Sequence, residues 1–446
     1  MSVSRSFYSL PFLLIAVVLF MICIGACILK IPGMTIHAVS LFDVFFTATS
    51  AVCTSGLMSL DAATDFTLTG QCVLLVLIKL GSLLIILTGV FLFTRFQDPV
   101  NDPIHERINF RKVLPRIVAW TIGLELLGAI ALYYMWSPGI AWKSEGERWF
   151  YSFFHSISTF NNAGFSLFEN GMHNELLRRN YLLQWIFIGQ ALAGALGILS
   201  ILDLFSPLSL RARLSDPRRH IHHATKIALY FLICLTIFGS MGFFLFEDHN
   251  AIREESFFGK VTTSIFHVVV SPYSGYSTLA LGSLSTASAM LVMLLVFFGP
   301  GNPSGGGSTT MPLLAVLAAR FNAKLSGKKV HTLYGSRIIS LHRRTAYATV
   351  LVYLALITIG TALLYNSVDE HEPLWDQSLK NIFMTEVSAI CTGGFAAVET
   401  SAFDNAGHWI LMGSMLIGRV SIFIIAYFFI SRWKWQGKKQ LQLIED

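Results

Sequence analysis

Charge is scarce in this chain. Asp, Glu, Lys and Arg make up 13% of its 446 residues, 54% are hydrophobic, and the mean hydropathy is +0.61. Soluble domains carry about a quarter charged residues, so a soluble globular fold is excluded. Cysteine is sparse as well. Cys23, Cys27, Cys53, Cys72, Cys234 and Cys391 all lie in or beside apolar runs and none forms a CxxC pair, which suggests neither a disulfide framework nor a zinc site. No Walker or GxGxxG sequence opens a helix after a strand, so the chain has no nucleotide site of its own. An intramembrane serine protease needs a glycine two positions before the serine of a Ser-Gly pair. Ahead of Ser55, Ser274, Ser304 and Ser326 stand Cys53, Pro272, Asn302 and Lys324 instead. The chain is not read as an enzyme.

What it has in quantity is apolar sequence. Runs of the length a helix needs to cross a bilayer cover Ser9 to Leu29, Leu68 to Phe93, Ile117 to Met135, Leu182 to Phe205, Ile227 to Phe246, Ala346 to Leu364 and Ile410 to Ile430. The first is too long for a signal peptide and no small-residue cleavage site follows it, so it is read as a retained helix. The net charge of +6 is sorted by membrane side. Arg5, Arg95 to Arg116, Arg211 to Lys226, Arg320 to Arg344 and Arg432 to Lys439 hold 22 of the 32 basic residues. By the positive-inside rule these segments and both termini are cytoplasmic, in a multi-pass protein of the cell inner (plasma) membrane. The loops between them hold most of the acids, as in "FEDHN" and "SVDEHEPLWD", and face out. This pattern speaks for lipid contact and against nucleic acid. "RRHIHH", from Arg218 to His223, is read as a solvated cytoplasmic loop rather than a metal site.

Cytoplasmic loops recur about every 110 to 120 residues, which points to an internal repeat. Each unit gives an apolar helix, an outer loop, a short aromatic-rich segment ending at a glycine, and a returning helix. The short segments are "LFDVFFTATSAVCTSGL", "WFYSFFHSISTFNNAGF", "FFGKVTTSIFHVVVSPYSGY" and "SLKNIFMTEVSAICTGGF". The expected fold is an all-α polytopic membrane protein with eight membrane helices. Its four pseudo-symmetric helix/pore-loop/helix repeats surround a central pore: 1–100, 101–210, 211–325 and 326–446. The terminal glycines are Gly56, Gly164, Gly275 and Gly394, preceded by Thr54 and Ser55, Asn162 and Ala163, Tyr273 and Ser274, and Thr392 and Gly393. Glycine permits a left-handed or extended backbone that turns carbonyls to an axis. Four such segments give carbonyl rings that replace the water around a cation, favoured further by the C-terminal dipoles of the short helices.

These segments carry a resemblance. "TSAVCTSGL" resembles the first filter of the Trk/Ktr/HKT cation transporter superfamily, "FNNAGFSLF" is very close to its second, and "CTGGF" resembles its fourth. The likeness covers nearly the whole chain. A first helix beginning near Ser9 leaves no room for the additional N-terminal helix pair of Trk-type members and favours a Ktr-like pore subunit. The resemblance implies potassium uptake with potassium held at the filter only, no other cofactor in this chain, a homodimer, and cytoplasmic nucleotide-binding regulatory subunits. Glycine at all four filter positions implies potassium preference, since serine at the first goes with sodium permeation in that family. The third filter, "SPYSGYSTL", matches the family pattern only at Gly275, Tyr276 and Thr278, and Ser308 stands where a lysine often follows the glycine-rich stretch. Alternatives are a sodium-permeable or ion-coupled cation symporter of the same fold, or a secondary transporter with broken helices. The last shows two repeats rather than four.

Two further features call for an account. "GPGNPSGGG", from Gly299 to Gly307, cannot hold a helix and interrupts the third repeat, where the other repeats are expected to keep an intact helix. Gly299, Gly301, Asn302, Gly305, Gly306 and Gly307 are therefore read as a gate loop, with Arg419 of "LIGRVSIF" holding it closed; a static kink is the alternative. Lys79, Glu125 and Glu386 also lie in apolar surroundings, where an unpaired charge costs several kcal/mol. Each is a functional candidate, with an ion pair or snorkelling as the competing account for Lys79 and Glu125. His155 and His267 in the short segments are read as packing residues.

Overall fold

The computed structural model describes residues 2–96, 110–169, 171–215, 221, 223–299, 332–333, 336–337, 340–368, 378–398 and 400–421. Among the described residues the regular structure is helical apart from two paired antiparallel strands of two residues each, β1 (Thr332–Leu333) and β2 (Ser336–Arg337). In chain order the helices are α1 (Ser2–Leu29), α2 (Leu41–Cys53), α3 (Leu68–Phe96), α4 (Phe110–Met135), α5 (Glu145–Phe160), α6 (Glu175–Arg178), α7 (Tyr181–Leu196), α8 (Ile198–Phe205), α9 (Pro207–Ser215), α10 (His223–Glu247), α11 (Phe257–Ser274), α12 (Thr286–Phe298), α13 (Ser340–Tyr365) and α14 (Leu379–Cys391), followed by α15 over 405–421.

One order of long helix, short helix, glycine and returning helix occurs four times, with α2, α5, α11 and α14 as the short helices. Serine precedes every one of them: Ser40, Ser144, Ser256 and Ser378. The first three accept a backbone N–H from Asp43, Glu147 and Gly259 through the side chain, which satisfies a donor the first turn leaves free. The short helices are the interior of the molecule. Every residue from Phe46 to Cys53 and from Met384 to Cys391 is buried, whereas Phe12, Leu127, Phe238 and Met241 on the long helices are more than half exposed. Exposed apolar faces of this extent are those of helices solvated by lipid.

The returning helices approach the short ones unusually closely. A Cβ on Gly81 of α3 would lie 2.1 Å from the Val52 carbonyl oxygen; on Gly194 of α7, 2.1 Å from that of Phe160; on Gly418 of α15, 1.8 Å from that of Ile390. In each case only glycine lets the returning helix touch the last turn of the short helix. Gly299, which follows Phe298 at the end of α12, ends its helix instead, with φ 48°. The rest of the proposed gate loop, Gly301 to Gly307, lies outside the described residues.

One expectation is overturned. The second unit does not keep an intact returning helix: the apolar run from Leu182 to Phe205 divides into α7 and α8, bent by 99°. Gly197 between them has φ 77° and ψ 148°, a backbone that β-carbon residues avoid. Among the described residues four helices are long and apolar enough to cross a membrane, or five with the bent pair, while Thr286–Phe298 and Val350–Tyr365 are shorter apolar helices. The expected count of eight is not reached on these residues alone.

Candidate functional site

The ends of the four short helices meet. α2, α5 and α14 close in the same way: the N–H groups of Thr54, Asn162 and Thr392 donate to Ala51, Thr159 and Ala389 at 3.1 to 3.3 Å, and those of Ser55, Ala163 and Gly393 reach back to Ser50, Ser158 and Ser388 at 2.8 to 2.9 Å. This pair of bonds is the Schellman ending, which requires a left-handed residue. Here that residue is Thr54 (φ 46°), Asn162 (φ 54°) or Thr392 (φ 52°) rather than glycine. A β-branched threonine held there stores strain, as functional sites often do.

The terminal glycines of the four segments follow, all left-handed: Gly56 (φ 85°), Gly164 (φ 75°), Gly275 (φ 73°) and Gly394 (φ 83°). They close a ring. A Cβ on Gly56 would lie 2.7 Å from the Ala163 carbonyl oxygen, on Gly164 2.5 Å from that of Ser274, on Gly275 2.5 Å from that of Gly394, and on Gly394 2.5 Å from that of Ser55. Each glycine thus faces the backbone of the next segment in chain order. The third segment departs from the others, as its sequence does. α11 continues through Tyr273 and Ser274, and the Gly275 N–H makes an ordinary helical bond to Ser271 at 3.0 Å.

Side chains tie the ring together. The Ser274 hydroxyl donates to Asn162 Oδ1 at 3.0 Å, the Tyr276 hydroxyl donates to the Phe165 carbonyl at 2.5 Å, and Arg419 Nη2 donates to Thr54 Oγ1. The structure therefore brings Arg419 to the first segment. His155 and His267 do more than pack. Each donates Nδ1–H to the carbonyl one turn earlier, Tyr151 at 2.8 Å and Thr263 at 2.9 Å, which leaves Nε2 toward Ser166 at 3.2 Å and Ser277 at 3.1 Å, beyond the glycine. Thr385 has the matching place in α14 and accepts the Ala397 and Val398 N–H groups at 3.2 Å. These residues pin the chain leaving the ring to the helix entering it.

Of the isolated charges, Lys79 pairs with Glu125 at 2.6 and 2.7 Å. Glu386 is fully buried, accepts the Ser414 hydroxyl at 2.7 Å, and packs where Gly360 of α13 leaves space. No cluster of His, Cys, Asp or Glu suited to a metal occurs among the described residues.

Above the ring lies a cavity of about 600 Å³ whose lining includes all four glycines, Ser166, Tyr276, Ser277, Phe395 and, as its acidic residue, Asp61. Burial raises the Asp61 carboxyl above the usual carboxylate range, opposed by the Ala63 N–H and reinforced by the charges of Asp65 and Glu169. On acidification Asp61 therefore takes up its proton before an ordinary aspartate does, and the cavity loses its negative charge. We expect Asp61→Asn to raise the cation concentration for half-maximal flux roughly two- to fivefold at neutral pH and to flatten its dependence on acidification. Flux titrations at several pH values check this.

Known proteins share this arrangement in sequence and fold. Residues 94–332, more than half the chain, match the TrkH family, described as cation transport protein. The chain is 28% identical to Ktr system potassium uptake protein B of Vibrio alginolyticus, over 90% of this chain and 87% of that protein. It is 26% identical to the potassium/sodium uptake protein NtpJ of Enterococcus hirae, over 91% and 90%. The fold is similar to the crystal structure of the potassium transporter TrkH from Vibrio parahaemolyticus, with a TM-score of 0.69, 18% identity, and coverage of 91% of this chain and 82% of that one.

Proposed function

Because this chain belongs to the TrkH family of cation transport proteins, we propose that it takes up potassium through a pore filtered by the four glycine segments. The observation that carries the reading is the closed ring, in which Gly56, Gly164, Gly275 and Gly394 each face a carbonyl oxygen of the next segment. Rings of backbone oxygens replace the hydration shell of a bare cation, and the short helices present the negative ends of their dipoles there. In this reading each of the four repeats contributes one segment, eight helices cross the membrane, and Asp61 draws cations into the outer cavity. Both termini lie in the cytoplasm, and the loop after Gly299 is the gate.

Purified protein in liposomes is expected to pass potassium at least about tenfold faster than sodium, a difference of roughly 1.4 kcal/mol at the filter. Equal fluxes, or faster sodium, sink the potassium assignment. Sodium passage is the second reading, favoured by the shifted third segment and by the potassium/sodium name of the Enterococcus relative.

The regulatory side of the proposal rests on composition. The basic cytoplasmic stretches, with "RWKWQGKKQ" in the tail, are too short to fold as a sensor but offer Arg and Trp, the residues that dominate docking surfaces. A homodimer bound to nucleotide-binding cytoplasmic subunits fits them, and co-purification tests it.

A further inference from the structure

We propose that Lys79 and Glu125 are positioning residues for the second glycine segment, acting through Asn161, and that they thereby set cation selectivity. The proposal rests on the filter reading above.

Lys79 lies on α3 and Glu125 on α4, 46 residues apart in sequence. Their side chains are 19% and 6% exposed. A buried ion pair of this kind often stabilises no better than apolar residues of the same size, so stability alone is a weak reason to keep it. The geometry supplies another. Glu125 Oε1 accepts from Lys79 Nζ at 2.6 Å and also from Asn161 Nδ2 at 2.8 Å. The second hydrogen of Nδ2 goes to the Ile157 carbonyl at 2.8 Å, and Asn161 Oδ1 accepts from Ser82 at 2.5 Å. Both amide ends are thus engaged, and the Asn161 side chain has one orientation.

Asn161 follows α5 directly and precedes Asn162, whose left-handed backbone turns the chain into Ala163 and Gly164. Asn162 is in turn bonded to Ser274 of the third segment. The charge pair is therefore two residues from the segment it orients, and that segment touches the next. The other Schellman endings have no such amide. Cys53 and Cys391 hold the place of Asn161 before Thr54 and Thr392, and both are buried. The network serves the second segment alone, where the αL residue is an asparagine rather than a threonine.

The double variant Lys79→Met/Glu125→Leu removes both charges without leaving either unpaired. In liposomes its potassium-to-sodium flux ratio is expected to fall about tenfold, while its melting temperature in detergent stays within a few degrees of the parent. Asn161→Leu, which leaves the ion pair in place, is expected to lower the ratio similarly. Lys79→Met/Glu125→Gln keeps an oxygen for Asn161 and is expected to retain the parent ratio within about twofold. Parent selectivity in Lys79→Met/Glu125→Leu overturns the proposal, whatever Asn161→Leu does, and leaves the pair a staple between α3 and α4; should that variant not fold, Lys79→Met/Glu125→Met, which also removes both charges, takes its place. Gly56→Ser separates the two levels. If it changes the ratio and these variants do not, only this inference fails; if it too leaves the ratio unchanged, the filter reading fails.

Discussion

Gly56→Ser is expected to lower the potassium-to-sodium flux ratio at least about tenfold, or by roughly 1.4 kcal/mol of discrimination. Two effects act together. With φ at 85° any side chain at this position is strained, and its Cβ would lie 2.7 Å from the Ala163 carbonyl oxygen and 3.0 Å from Gly394 Cα. Both neighbours are backbone and neither yields by a rotamer change. Retreat of the first segment is opposed at its base, where Thr54 and Ser55 are bonded to Ala51 and Ser50 and Arg419 holds Thr54. The ring then gives way locally, by turning a carbonyl from the axis or spreading the segments, and either change weakens discrimination between cations that differ mainly in size. Gly123→Ala and Gly189→Ala are the controls. A Cβ at Gly123 or Gly189 meets nothing within 4 Å, so neither should alter the ratio. An unchanged ratio in Gly56→Ser would remove the ring from the account of selectivity.

Much of this arrangement was legible from the sequence because it is local. The apolar runs, the short aromatic segments and their terminal glycines are read within a single unit, and the positive φ at Gly56, Gly164, Gly275 and Gly394 follows from the need to turn a chain sharply after a helix. Even the departure of the third segment was visible in "SPYSGYSTL", whose Tyr273 and Ser274 turn out to extend α11. What stayed hidden was contact across units. Lys79 and Glu125 give no hint of each other in sequence, and Asn161 resembles an ordinary helix end until both are brought to it. His155 and His267 looked like packing residues because hydropathy weighs a side chain and not its two nitrogens, each of which has a backbone or serine partner in the fold. The break at Gly197 was missed for another reason: a single glycine inside an apolar run is common in membrane helices, and only the backbone angles separate a hinge from a packing residue.

Arg419→Ala, and deletion of Pro303 to Gly306, are each expected to raise cation flux about tenfold in the absence of any regulatory partner. Gly81, Gly194 and Gly418 sit against the last turn of their short helices and their own helices continue past them, whereas Gly299 ends α12 with φ 48°. The sequence that follows, "GPGNPSGGG", has five glycines and two prolines among nine residues, so the backbone has low barriers to change and few internal bonds to lose. Such a stretch survives at membrane depth where water in a cavity satisfies its amides. A helix break by itself is insufficient for a gate. The second unit breaks too, but at Gly197 one residue separates α7 from α8 and both helices resume at once, which makes a fixed bend and no movable obstruction. After Gly299 the sequence is of another kind, with glycine and proline where after Gly197 an apolar helix resumes. Arg419 is buried and bonded to Thr54 at the base of the first segment, where a guanidinium both repels an arriving cation and offers donors to loop carbonyls. The two variants should therefore differ in one respect. The deletion should leave the potassium-to-sodium ratio near that of the parent, because no described ring residue is touched. Arg419→Ala should also lower the ratio, because Thr54 loses its donor. Parent-like resting flux in both would leave the loop a static kink that shapes the cavity, and gating would have to be sought in the ring itself.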